Sequence, residues 1–321
     1  MNHDFNFVFL ILHYRSIYDT KNCVHSILNH TCNNYNYSIV IVNNNPINLN
    51  QDEELEGMKS IYKKIYIVKS LGNIGFSKGN NLGYEFIKSK IKNIDFIICI
   101  NSDILFTDND FLDKIIDSYE RDKWDVCGPD VLQLDEEFSD LFYHVSPISF
   151  KEESKDEAIK FLAYCERLSN KPIIYFKIKL YLKKVFKMFY FVPVMRRHIK
   201  SKKASQYYNN SIIKKTSEIQ KNVIVYGCAL VFSKSFIDNE NKLFFPETKL
   251  YHEEAILFKR CKEKGYIMEY DPTWRVVHLD GRSTANKVNN NDILKQRFKI
   301  SEQINATKIY INYCNKKEIN Q

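Results

Sequence analysis

Four apolar runs rich in Val, Ile, Phe and Tyr recur between Phe5 and Ile100, and they restrict the fold more than any other feature of the chain. Phe5 to Tyr14, Tyr37 to Asn43, Lys64 to Lys69 and Asp95 to Ile100 read as strands, with helical patterns between them. Continuous apolar strands separated by helices imply an α/β fold, a Rossmann-like doubly wound and mostly parallel sheet whose ligands bind beyond the carboxyl ends of the strands. That rule puts three polar clusters on one edge: Asn43 to Asn45, Asn73 to Asn81, and Asn101-Ser102-Asp103. A further strand is expected over Val223 to Phe232. With 321 residues and 44% hydrophobic content, the chain can bury one large core.

The net charge of +8 is a local property. Ten of the 47 Lys and Arg lie between Pro172 and Ala204, where there is no Asp or Glu, and the other 37 face 39 acidic residues. No nucleic-acid-binding motif accompanies the basic segment, so nucleic acid is not an expected partner. Met1 to Asp4 carry no basic leader, and Phe5 to Leu12 is too short for a spanning helix. Eight cysteines without a C-x-x-C pair fit a reducing cytoplasm.

Four pieces carry chemistry. The strand from Asp95 ends in Asp103, a carboxylate held at a sheet edge, the kind of oxygen ligand that Mg²⁺ and Mn²⁺ prefer. Gly72 to Gly83 sets four glycines among three asparagines, which lets backbone approach a nucleotide or sugar closely. Glu253 and Glu254 open a helix after an aromatic, proline-containing loop, and Trp274 to His278 reads as a short strand ending in an imidazole. Each piece alone has a plain structural use. Asp103 could end a strand or cap a helix starting near Asp108, acids in a first turn suit the helix dipole, and a lone histidine is more often structural.

The order of these pieces resembles glycosyltransferase family 2, in particular a rhamnosyltransferase-like bacterial branch. Ile11-Leu-His-Tyr14 is similar to that family's opening strand, and Ile41-Val-Asn-Asn-Asn45 to its V-D-N-x-S turn. Asn73-Ile-Gly-Phe76 with Asn80 and Asn81 resembles N-x-G-F and its paired asparagines, and Asn101-Ser-Asp103 an L-N-x-D form of the D-x-D metal motif. Gly227 to Leu230 resembles the G-A strand, Glu253-Glu254 the E-D pair, and His278 to Ser283 the H-x-x-x-x-S element. The sequence departs from the family at Asn43, where Asp is usual, and keeps only the last Asp of D-x-D.

The resemblance implies a GT-A fold and a metal-dependent, inverting hexosyl- or deoxyhexosyltransferase. Tyr14, Asn43, Asn44, Asn73, Gly75, Phe76, Asn80, Asn81 and Asn101 would contact the nucleotide-sugar donor. Asp103 and His278 would hold Mn²⁺ or Mg²⁺, and Glu254, beside Glu253, would deprotonate the acceptor. The acceptor would be a glycan, lipid-linked, on the way to a surface polysaccharide such as O-antigen or capsule. The alternative is a non-catalytic protein of the same fold that binds glycan or partner.

The expected organisation has a nucleotide-sugar-binding half at 1–135, a connection and basic insertion at 136–220, an acceptor and catalytic half at 221–285, and a helical tail at 286–321. Ile173 to Val192 reads as an amphipathic helix. Five lysines lie on one side, and Ile174, Ile178, Tyr181, Leu182, Val185, Phe186 and Phe189 on the other. Residues 173–203 are therefore expected to meet an anionic membrane surface, with Pro193 ending the helix and Arg196, Arg197, Lys200, Lys202 and Lys203 facing headgroups. This would place the protein peripherally on the inner face of the plasma membrane.

Overall fold

The computed structural model describes residues 5–31, 35–45, 49–134, 142–190, 217–279 and 292–318. Strands β1 (Asn6–His13), β2 (Asn36–Asn43), β3 (Ile65–Lys69) and β4 (Phe96–Asn101) follow the four apolar runs closely. They pair in parallel in the order β3-β2-β1-β4. The sheet then continues through strands from later in the chain: β9 (Ala229–Ser233), β6 (Val126–Leu134), β10 (Met268–His278) and β5 (Ile104–Phe106). β9 is antiparallel to β4 and β6, β6 is parallel to β10, and β5 closes the edge antiparallel to β10. Short strands β7 (Phe142–His144) and β8 (Gln220–Lys221) flank β6 and β10. This is a mixed α/β, GT-A-type arrangement.

Alternation along the strands sends side chains to two cores. Phe7, Phe9 and Ile11 of β1 face α1 (Ile17–His30) and α4 (Phe111–Asp122) in one apolar cluster. Val8 and Leu10 face α3 (Phe76–Lys90) and, further along the sheet, α7 (Lys234–Asn239) and α8 (Glu253–Lys264) in the other. Glycine lets α3 lie close to the sheet. A Cβ on Gly83 would stand 2.3 Å from Leu10 Cδ1, and one on Gly79 would stand 2.5 Å from Leu12 Cδ1. Helix α2 (Leu49–Gly57) and a short 3-10 turn lead into β3.

Three more helices pack outside the second core. α5 (Lys155–Ser169) starts with a capping box between Ser154 and Glu157 and lies along α9 (Asp292–Glu318). Ala158 of α5, Ile256 of α8 and Tyr310 of α9 share a small buried cluster. α6 (Ile173–Tyr190) joins a second one through Phe176, with Cys165 and Ile300.

The fold departs from the sequence reading at three places, the first being the strand that ends at His278, which begins at Met268 and not at Trp274. The helix expected near Asp108 starts at Phe111 with Asp110 as its N-cap, and β5 intervenes, so Asp103 does not cap it. The strand expected over Val223 to Phe232 is confined to its second half. The backbone turns at Tyr226 to Cys228, where the Gly227 N–H donates to Glu254 Oε1 at 3.1 Å and the Cys228 carbonyl accepts from Asn101 N at 2.9 Å. Pro193, Arg196, Arg197, Lys200, Lys202, Lys203 and Ser283 lie outside the described residues, as do residues 135–141 of the acid-rich connection.

Candidate functional site

The carboxyl ends of β1, β2 and β4 and the loop after β3 open onto one cleft. It is lined by Tyr14, Asn44, Asn73, Gly75, Phe76, Asn101 and Asp103, all singled out in the sequence. Leu12, Ser102, Lys249, Leu250 and Phe298 complete the lining. The last three come from the segment before α8 and from α9, far along the chain, where local pattern carried no signal.

Asn44 organises the floor. Its Oδ1 accepts from Ile74 N at 3.0 Å, and its Nδ2 donates to the Gly75 carbonyl at 3.3 Å. The Gly75 N–H in turn donates to Asn73 Oδ1 at 3.1 Å. Gly75 has φ +90°, a conformation side chains with a Cβ rarely adopt, and this lets the loop turn sharply into α3. The loop is therefore fixed before any ligand arrives.

Three other asparagines are committed inside the protein. Asn43 is fully buried, donates from its amide to Asp52, and accepts from Asn45 N at 3.0 Å. Asp52 also pairs with Lys69 at 3.2 Å. Asn80 donates to the Phe76 carbonyl at 3.1 Å. Asn81 forms a two-way pair with the Phe244 backbone at 2.8 and 3.0 Å, which ties α3 to the segment before α8. None of these three lines the cleft.

Asp103 and His278 meet although 175 positions separate them in the chain. The pairing of β5 with the end of β10 brings them together, and Leu279 N donates to the Asp103 carbonyl at 3.0 Å. His278 Nε2 lies 3.3 Å from Asp103 Oδ1, and both side chains are buried. A carboxylate in the turn between β4 and β5 and an imidazole at the end of β10 are donors that a divalent ion such as Mn²⁺ accepts. Among the described residues no group of three or more His, Cys, Asp or Glu comes together.

Glu253 and Glu254 open α8, behind the Tyr226 to Cys228 turn. Glu254 lines a second cavity, together with Ile148, Glu153, Phe161, Ile224 and His252. Burial raises its pKa above the usual carboxylate range, with the Gly227 N–H acting in the opposite direction. A Cβ on Gly227 would stand 2.6 Å from Glu254 Oε1, so only glycine admits this contact. Glu253 is buried, its Oε1 has no hydrogen-bond partner, and burial followed by the Glu254 charge pushes its pKa well up. The turn contacts both groups: its Tyr226 ring lies 5.8 Å from the His278 ring, and its Gly227 N–H bonds Glu254.

Comparison with solved structures places the fold. The chain superposes on a crystal structure of GalNAc-T7 with UDP, GalNAc and Mn²⁺ at a TM-score of 0.52 and 12% identity, covering 86% of this chain and 44% of that one. It thus spans less than half the length of that structure's chain. A structure of S. aureus TarS residues 1–349 matches at a TM-score of 0.46 and 10% identity, over 93% of this chain and 70% of the other. No curated protein sequence matches. The sequence pattern described as Glycosyl transferase family 2 matches residues 10–189, more than half of the chain, and the protein belongs to that family.

Proposed function

We propose that the protein is an inverting glycosyltransferase that uses a nucleotide-sugar donor. The observation that carries this reading is the pairing of two half-sites across the Tyr226 to Cys228 turn: a cleft at the strand ends lined by Asp103, which His278 contacts at 3.3 Å without itself lining the cleft, and a half-buried carboxylate, Glu254, on the other side. The GalNAc-T7 structure holds UDP, GalNAc and Mn²⁺, which supports the same class of donor here.

Tyr14, Asn73, Gly75, Phe76 and Asn101 would bind the nucleotide sugar, while Asn43, Asn44, Asn80 and Asn81 hold the loops that present them. Asp103 and His278 would hold a divalent cation, Mn²⁺ or Mg²⁺, which supplies positive charge beside the donor diphosphate when bound. The acceptor hydroxyl attacks the anomeric carbon, the bond from that carbon to the diphosphate oxygen breaks, and Glu254 takes the hydroxyl proton. Its raised pKa brings it closer to neutral pH, which suits a general base. A hexose or deoxyhexose donor, as in the rhamnosyltransferase-like branch, and a lipid-linked surface glycan as acceptor fit this chemistry.

The proposed acceptor gives α6 a use. Ile174, Ile178, Tyr181 and Leu182 follow one helical face, and all four are more than half exposed, while the helix packs inward through Phe176. Lys177 and Lys179 are exposed beside them. No helix among the described residues is long and apolar enough to cross a membrane. An apolar face flanked by lysines can lie in an anionic interface, each lysine contributing about 1 kcal/mol near the surface.

A nucleotide-sugar panel, screened by thermal shift with and without Mn²⁺ and then for transfer or hydrolysis, tests the reading. One donor is expected to stabilise the protein and to be turned over; stabilisation without turnover of any donor would favour a non-catalytic binding protein. Wild type is expected to float with anionic liposomes and a variant with Ser at Ile178, Tyr181 and Leu182 to remain in the pellet fraction. Equal flotation of the two removes the membrane assignment.

A further inference from the structure

We propose that Lys249 binds the diphosphate of the donor, supplying the positive charge that the shortened D-x-D motif leaves to the cleft. This rests on the nucleotide-sugar reading above and adds a residue to it. Lys249 is the only lysine or arginine among the described residues lining the cleft, whose one lining carboxylate is Asp103. A nucleoside diphosphate gains negative charge as it leaves, so a cation fixed beside it stabilises the departing group more than the bound donor.

The lysine is built into place. Thr248 and Ser77 share a hydroxyl hydrogen bond of 2.6 Å, and Phe76 N donates to the Lys249 carbonyl at 2.9 Å, docking this segment on the start of α3. A Cβ on Gly75 would lie 2.7 Å from Lys249 Cγ and 3.1 Å from its Cα. The missing side chain at position 75 is therefore the space through which the lysine stem passes, and the same glycine shapes the loop that carries Asn73. The stem is packed, the residue is exposed, and no ion pair holds its ammonium among the described residues. Elsewhere on the surface, lysines such as Lys21, Lys151 and Lys259 are paired with glutamates.

The test is calorimetric titration of UDP, GDP, CDP and dTDP, and of the matching nucleosides, into the full chain in Mn²⁺ at two salt concentrations. Wild type, Lys249→Met and Lys249→Arg are compared, with thermal melts as the folding control. Whichever diphosphate wild type binds should bind about tenfold more weakly to Lys249→Met, with a shallower salt dependence, while its nucleoside binds equally well. Lys249→Arg should retain most of the affinity. Equal diphosphate affinity in Lys249→Met, or an equal loss for the nucleoside, overturns the assignment of Lys249 while leaving the donor reading in place. If wild type binds none of the four diphosphates, the donor reading itself fails and this inference with it.

Discussion

The two half-sites are held by different means. Asp103 and His278 sit at the ends of strands, fixed by the pairing of β5 with β10, and the cleft floor is fixed by the Asn44 amide. Glu253 and Glu254 sit at a helix start supported by α5 and α9, and both carboxylates have raised pKa values because they are buried. The floor amides of the first region are engaged before ligand binding, whereas in the second burial disfavours the charged form of both carboxylates. The first arrangement suits binding, and the second suits proton transfer, so perturbing one should leave the other working.

The largest expected effect is on turnover. Glu254→Gln should lower kcat by about 10²- to 10⁴-fold, because the amide cannot accept the acceptor proton. In wild type the acid limb of the kcat profile should lie above the ordinary carboxylate range, since a raised pKa means that the base loses its ionised form sooner as pH falls. A steady-state pH series on both proteins checks this.

On the donor side, Asp103→Ala and His278→Ala should each weaken Mn²⁺-dependent nucleoside diphosphate binding by about tenfold or more. Unchanged metal dependence in both variants would remove the metal assignment. Gly75→Ala should cost about 1–3 kcal/mol, because alanine is strained at φ +90° and its Cβ would collide with Lys249. Denaturant melts together with diphosphate titration would register both the strain and the displaced lysine.

Much of the first region was readable in the sequence, because continuous apolar runs ending in asparagine or aspartate announce parallel strands and their ligand edge. β5 was not, since three residues between Asp103 and Thr107 become a strand only by pairing with β10. The strand from Val223 read too long because its apolar run continues through the turn that Glu254 and Asn101 impose. Lys249 and Phe298 reach the cleft through tertiary packing alone. Asparagine composition marked the right loops, but it could not separate Asn73, which lines the cleft, from Asn81, whose amide is engaged by the Phe244 backbone.

The smallest effect sharpens the contrast from the side of stability. Glu253 is buried with a raised pKa, so its protonated form favours the folded state, and stability falls as pH rises through that value. Glu253→Gln should therefore stabilise the protein at neutral pH and lose that advantage in acid below the unfolded pKa. Thermal melts across pH would register it. A destabilised variant at neutral pH would mean that the charge is compensated in the fold.

The most direct test of two separable half-sites is titration of a nucleoside diphosphate into wild type and Glu254→Gln in Mn²⁺, with turnover measured on the same preparations. The account predicts equal affinity in the two proteins and transfer lost only in the variant. Affinity falling in step with turnover, or transfer surviving in Glu254→Gln, would contradict it.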